Sequence, residues 1–326
     1  MSLTLKDVAE KAGVTVTTVS RVLNNRGPIS QETREKVYNA MNELRYYPNE
    51  AARSLSKNRT NVIGVILPSV QNPFFSEMLG YLERYAFQSN YKIQLCVSNH
   101  EQEKEQEYVE MMRANKVAGI IISSRTLGLE KYFTERFPVV SIERLINAAT
   151  SSVTCNNYEG GRLATQHLIE RGCKKLAHIG GVNGLNMIAD ERSHAFKDVC
   201  DLKQIPYEIF MTEEAQFHSM EYIDWLDTIV TSHPEIDGYF TSNDIIAIQL
   251  IHVCHRHKLH IPDDIKIVGF DDILMAAWST PALTTIRQPI EQMSKAAIDI
   301  IRQYDRKPSV PTQSVLGVTL VQRETT

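Results

Sequence analysis

From Asn61 onward the chain alternates short apolar runs with longer runs of helical period, and it does so twice. "NVIGVILP", "YKIQLCVS" and "AGIIISS" read as strands, with "FFSEMLGYLERYAFQ" and "EQEKEQEYVEMMRANK" as helices between them. After "PVVSIE" and "SVTCNN" a second series begins. It runs helix "EGGRLATQHLIERG", strand "KLAHIGG", helix "ADERSHAFKDVC", then strand "GYFTS", helix "NDIIAIQLIHVCHRH" and strand "IKIVGF". Strands that alternate with helices form parallel sheets covered on both faces, so two series imply two doubly wound lobes.

The first 60 residues have a different character. Leu5, Val8, Ala9 and Ala12 recur at helical spacing behind Thr4, an acceptable N-cap with Asp7 three residues on. Gly13 breaks that run. Thr15 can cap a second helix over residues 16–23, and Ser30 a third, striped by Val37, Ala40, Met41 and Leu44. A helix, a tight glycine turn and a second helix make a helix-turn-helix. The second helix, "VTTVSRVL", is rich in Thr and Val, which are weak helix formers. Val19, Val22 and Leu23 can pack on the other helices, and this packing is expected to outweigh propensity. Thr17, Ser20, Arg21 and Asn24 fall on the opposite face. A short polar face tipped with one Arg suits a major groove, where Arg pairs with guanine and Thr or Val meets a thymine methyl. A packed three-helix unit with a merely polar outer face is the bland alternative.

Charge points the same way. Residues 1–60 hold ten Lys/Arg against six Asp/Glu, a net of +4, while the rest holds 25 against 33, a net of −8. A small basic head on an acidic body suggests that the head meets a polyanion. The next stretch, "YYPNEAARSLSKNRT", offers one or two helical turns with no core of its own, or a simple linker.

The stretch "LTLKDVAEKAGVTVTTVSRVLNNRGPISQETREKVYNAMNELRYYPNEAARSL" resembles the DNA-binding head and hinge of the lactose/galactose-repressor (LacI/GalR) family. The likeness continues through "NPFF", "EGGR", "TSNDIIAI", "IPDDIKIVGFDD" and "LTTIRQPI". In "YVEMMRANKVAGIIISSRTLGL" and "TTIRQPI" it leans toward the sucrose-operon repressors. The resemblance implies an all-α helix-turn-helix head on an α/β body of two doubly wound parallel-sheet lobes, periplasmic-binding-protein-like and linked by three crossings. The head is expected over residues 1–47, a hinge helix and linker over 48–60, and the effector-binding and dimerisation body over 61–326. The first lobe should take roughly 61–156 plus a stretch near 289–316. The DNA-binding set is then Thr4, Thr15, Val16, Thr17, Ser20, Arg21, Asn24, Asn49, Ala52 and Leu55. Val16, Thr17 and Arg21 are expected at base edges, and Thr15 and Ser20 at phosphates. Two hinge segments would pack together over the minor groove of operator DNA, with Leu55 as an apolar wedge.

Ligands of open α/β sheets sit beyond the C-terminal strand ends. Phe74 and Phe75 stand at a helix start after the first strand, Glu143 of "SIE" after another strand, Asn243 and Asp244 after "FTS", and Asp271 and Asp272 after "VGF". Arg192 lies in the helix after "IGG". Carboxylate, amide and guanidinium groups around one cleft can fix several hydroxyls, and aromatic rings can stack on a sugar face. The resemblance assigns effector contacts to Phe74, Phe75, Glu143, Asn186, Arg192, Phe217, Asn243 and Asp271. Two departures from the family pattern are visible: Ala195 at a glycine place in "RSHAF", and Asn156 in place of an acid in "CNNYEGG".

Other readings are weaker. His252 and His255 sit one turn apart and could share a metal, but a solvated His face beside a buried stripe of Ala247, Leu250, Ile251 and Cys254 is the plainer reading. "GGVNG" lacks the spacing of a phosphate loop. There is no GxSxG or HExxH. Aspartates at strand ends would suit a sugar hydrolase, and the lobes a transport binding protein, although a helix-turn-helix stands where a signal peptide would be. The five scattered cysteines read as reduced thiols of a cytoplasmic protein. No apolar run approaches the roughly 18 residues that span a membrane. The chain is therefore expected to be a cytoplasmic, ligand-responsive transcription regulator without catalytic activity or cofactor, most simply a repressor. Its expected partners are double-stranded operator DNA, a small carbohydrate related to sucrose or a sugar phosphate, and a second copy in a homodimer. "LVQRETT" carries no heptads, so a tetramer is not expected.

Overall fold

The computed structural model describes residues 3–23, 26–46, 59–124, 126, 128–133, 137–182, 187–306 and 312–326. Residues 48–58 of the expected hinge (48–60) and the expected contacts Asn24, Asn49, Ala52, Leu55 and Asn186 lie outside the described residues. The chain divides into two compact units, Met1–Thr60 and Asn61–Thr326.

In the first unit three helices, α1 (Leu5–Ala12), α2 (Val16–Leu23) and α3 (Gln31–Leu44), surround a small core. Val8, Val19 and Val37 are wholly buried in it, with Val22 beside them. Each helix start is capped as its sequence suggests. The Asp7 carboxylate accepts from the Thr4 N–H and hydroxyl at 2.7 and 2.8 Å. The hydroxyls of Thr15 and Ser30 accept from the N–H groups of Thr18 and Thr33. Gly13 ends α1 in the left-handed region, with φ of 65°, where a side chain would be strained. That turn lets α2 cross over α1, and the buried valines of α2 provide the stability their own propensity withholds.

The second unit holds two six-stranded sheets. The first contains β1 (Val62–Leu67), β2 (Lys92–Val97), β3 (Gly119–Ile122), β4 (Val139–Ile142), β5 (Ser151–Cys155) and β11 (Gln313–Leu316). Its order is β11-β5-β4-β3-β1-β2, and every pairing is parallel. The second contains β6 (Leu176–Val182), β7 (Tyr207–Thr212), β8 (Gly238–Thr241), β9 (Lys266–Asp271), β10 (Thr284–Arg287) and β12 (Thr319–Val321). Its order is β12-β10-β9-β8-β6-β7, parallel except for β12 against β10. The chain passes between lobes three times: from β5 into helix Asn157–Glu170, from β10 into helix Ile290–Arg306, and from β11 into β12. Strands β3 and β8 are buried from end to end, and β1 at all but its first residue, because helices cover both faces of each sheet.

Sequence periodicity misses β7, β10, β11 and β12 and the helices Glu214–Ser219, Ile223–Ser232, Leu274–Trp278 and Ile290–Arg306. For β7 the reason is location: it is an edge strand with Glu208 inside it and only Thr212 buried, so it carries no continuous apolar run.

Candidate functional site

The exposed side of α2 carries Thr15, Val16, Thr17 and Arg21, with Ser20 half-buried. Thr17, Ser20 and Arg21 border a shallow concavity with Arg26, Gly27 and Pro28. The Arg26 N–H donates to the Arg21 carbonyl at 2.9 Å, which carries the chain round this edge of α2. A polyanion meeting the face would encounter two guanidinium-bearing residues. Sequence reading named only Arg21, because Arg26 lies past the helix and outside its periodicity.

In the second unit a cleft opens between the lobes at the C-terminal ends of the strands. Pro68 follows β1, Ser123 and Ser124 follow β3, Glu143 follows β4, Ser242 and Asn243 follow β8, Asp271 ends β9 and Gln288 follows β10. Both switch points, where β1 divides β2 from β3 and β6 divides β7 from β8, face this space. The cavity encloses about 930 Å³ including its open mouth. Phe74, Phe75, Glu143, Arg192, Phe217, Asn243 and Asp271 all line it. Thus seven of the eight candidates for the cleft come together although they are up to 197 residues apart (Phe74 to Asp271).

Arg192 is the hub. Its Nε donates to Asn157 Oδ1 and its Nη1 to the Ser242 carbonyl, both at 2.6 Å. Its guanidinium lies 3.5 Å from the centroid of the Phe270 ring. Glu143 from the first lobe stands 3.8 Å away and Asp271 from the second 4.0 Å away. Each acid is tied to a lobe crossing. Glu143 accepts from the Asn157 side chain at 2.8 Å, and Asp271 from the Gln288 side chain at 2.6 Å. Both acids sit at positive φ, 54° and 119°, conformations that L residues adopt only when the surroundings hold them.

Burial, opposed by Arg192, pushes the Asp271 carboxyl up to about 7. Burial also holds Asp244 well above the carboxylate range. The folded chain therefore retains protons that the unfolded chain releases: Asp271 makes stability fall as pH rises from about 4 through about 7, and Asp244 acts in the same direction. Asp271→Asn keeps an acceptor for Gln288 and removes one ionisation. It is expected to unfold at a higher temperature than wild type at pH 8, with the advantage shrinking to nothing near pH 4. Thermal unfolding at the two pH values checks this; equal advantages at both would place the cost elsewhere. Burial pulls the His178 ring down to about 3, so it stays neutral. Its Nδ1 lies 3.0 Å from the Phe240 carbonyl, which can only accept, so Nδ1 carries the proton and Nε2 is left as an acceptor.

Neighbouring acids do other work. Asp244 turns inward and accepts from the Thr285 hydroxyl and the Ile273 N–H. Asp272 binds Arg287 and Arg323, both at 2.6 Å. Ala247, Leu250, Ile251 and Cys254 are buried, with His252 and His255 exposed beside them. Burial pushes Cys173 to about 11 and Cys200 and Cys254 to about 12, which keeps them as unreactive thiols. Among the described residues no helix is long and apolar enough to cross a membrane.

Residues 4–49 match the bacterial regulatory proteins of the lacI family, and residues 165–326 match the periplasmic binding protein-like domain. The ribose operon repressor of Halalkalibacterium halodurans is 36% identical, over 99% of this chain and 97% of that protein. The chain belongs to the lacI family. It is a DNA-binding transcription regulator, and its relatives are repressors, not enzymes. The sucrose operon repressor of Pediococcus pentosaceus is 34% identical over 97% of this chain and 98% of its own. Among solved structures, the lac repressor dimer bound to operator and an anti-inducer superimposes with a TM-score of 0.85 at 26% identity, over 100% of this chain and 99% of that one. A LacI regulator from Alkaliphilus metalliredigens complexed with D-xylulofuranose gives 0.74 at 31% identity, over 82% and 99%.

Both departures from the LacI pattern have local explanations. Ala195 is wholly buried where helix Glu191–Lys203 meets helix Asn157–Glu170. The close approach is made possible by the partner helix: a Cβ on Gly161 would stand 2.5 Å from the Arg192 carbonyl. Asn156 caps its helix by accepting from the Glu159 N–H at 3.1 Å. The contact with Arg192 falls to Asn157, one residue on. Sequence reading also missed His100, His178 and Gln288 in the cleft wall. Only Gln288 had a signal, since it lies inside "TTIRQPI".

Proposed function

We propose that this regulator represses genes of sugar utilisation as a homodimer, and that a small carbohydrate in the interlobe cleft sets its affinity for operator DNA. The observation that carries this reading is the cleft wall, which is lined by aromatic rings and by a guanidinium between two carboxylates. That set holds ring hydroxyls in fixed directions and stacks on an apolar sugar face. The ribose and sucrose operon repressors among its relatives, and the sugar-bound neighbour, support the same class. The dimeric lac repressor supports two copies on one operator. A regulator of operator DNA works in the cytoplasm.

On α2, Val16, Thr17 and Arg21 read base edges, and Thr15 and Ser20 hold phosphates; Thr4, at the start of α1, joins the DNA contacts. Residues 48–60 act as the hinge, where Asn49, Ala52 and Leu55 meet the minor groove. Asn24 joins the head contacts and Asn186 the effector contacts. The free sugar suits the cleft better than its phosphate ester. Among the described lining residues Arg192 is the one guanidinium or ammonium group, against Glu143, Asp190 and Asp271. The helix starts at Asn72 and Asn243 are already capped by those side chains. Arg125 lies outside the described residues.

Operator DNA titrated with the protein, with and without D-ribose, D-xylulose, D-fructose, sucrose and fructose 6-phosphate, tests the reading. One free sugar is expected to change operator affinity by roughly five- to 150-fold, the usual range of coupling between two sites. No change with any of them would overturn the sugar reading, and a response to the phosphate alone would overturn the preference for the free sugar.

A further inference from the structure

Each sheet has one edge at the crossings and one edge far from them. β11 and β12, joined by the third crossing, form the near edges; β2 and β7 form the far edges. His100 lies in the loop after β2, and Phe217 and His218 lie in the short helix after β7. These residues meet across the mouth of the cleft. The imidazole of His100 stacks on that of His218, with centroids 4.2 Å apart and planes 13° from parallel. The Phe217 ring meets His100 edge-on at 5.9 Å. Asn99 and His100 both adopt positive φ, 53° and 64°, so the loop is held in a strained conformation where it carries the ring. His100 and Phe217 also line the cavity itself.

We infer that His100 and His218 form a clasp that holds the two lobes together across the cleft mouth, with His100 as a positioning residue for the effector. A contact far from the crossings has the longest lever against opening, so a modest stacking energy there resists separation better than the same contact near Asn157 or Gln288. The clasp also places Phe217 over the cavity, which closes the site around whatever it holds. Its part in retaining an effector rests on the sugar-sensing reading; its part in holding the lobes does not.

Hydrogen exchange on the full chain tests the clasp. In sugar-free protein His218→Ala is expected to speed amide exchange at residues 98–101 several-fold, although the substitution lies in the other lobe. His218→Phe, which restores a flat ring, should return exchange to the wild-type rate. A side chain that merely supports its own helix would not transmit to residues 98–101, so unchanged exchange there in His218→Ala overturns the clasp. Failure of His218→Phe to rescue overturns stacking as its basis. D-ribose and sucrose form the second arm. If either protects residues 98–101 and 214–220 in wild type and less so in His218→Ala, the clasp acts on the effector. If one of them alters operator affinity yet protects neither segment, the role of the clasp in retention is overturned while the sugar-sensing reading survives.

Discussion

Arg192→Ala is expected to weaken effector binding roughly five- to 150-fold and to destabilise the second unit. Both effects have the same origin. Arg192 is 6% exposed and lies between Glu143 and Asp271, with its remaining donors on Asn157 and Ser242. Losing hydrogen bonds to a charged partner costs about 1–3 kcal/mol, which sets the loss of affinity. Removing one member of a buried ionic group costs about 3–5 kcal/mol, because it strands the others without compensation. Asp271 can relieve part of this by keeping its proton, so Arg192→Ala combined with Asp271→Asn should recover some stability but no sugar affinity. Calorimetric titration with the sugar that alters operator binding, together with thermal unfolding, separates the two effects. Unchanged sugar affinity in Arg192→Ala would remove this residue from the effector site.

Arg21→Ala is expected to cost roughly 1–3 kcal/mol of operator affinity and to relax the base preference at one position in each half-site. Arg21 is exposed on α2 and beside a concavity, so its loss should leave the fold untouched. Arg26→Ala, by contrast, should weaken operator and random DNA alike if Arg26 meets phosphate, because a phosphate contact carries no sequence information. Binding measured on operator, single-base variants and random DNA distinguishes them. Equal weakening on operator and random DNA by Arg21→Ala would show that Arg21 meets the backbone and reads no base.

Many elements with a local period were legible in the sequence, although the long helix Ile290–Arg306 was not named there. α2 and α3 begin where Thr15 and Ser30 can cap them, because a cap needs only residues three apart. Most inner strands were legible because they run apolar from end to end, as "NVIGVILP" and "AGIIISS" do; β10 was not, since two of its buried residues are threonines. β7 was not, since an edge strand needs only a partial apolar face, and its identity depends on pairing with β6.

The cleft divides in the same way. That Asn243, Asp244, Asp271 and Asp272 stand at strand ends is a property of the sequence, and so is the chemistry they can offer. Which of them face the cavity is not. Asp244 turns inward because Thr285 and Ile273 wait for its oxygens, and Asp272 turns to Arg287 and Arg323. Asn243 and Asp271 remain in the cleft wall. His100, His178 and Gln288 join them only because three strands from different parts of the chain end beside one space. The sequence by itself determined many of the elements, their caps, the helix-turn-helix and the stock of polar and aromatic groups at the strand ends, since each depends on neighbours a few residues away. The tertiary structure decided which acids meet Arg192 and which rings close the mouth, since a side chain's direction depends on partners brought near only by the packing of two lobes.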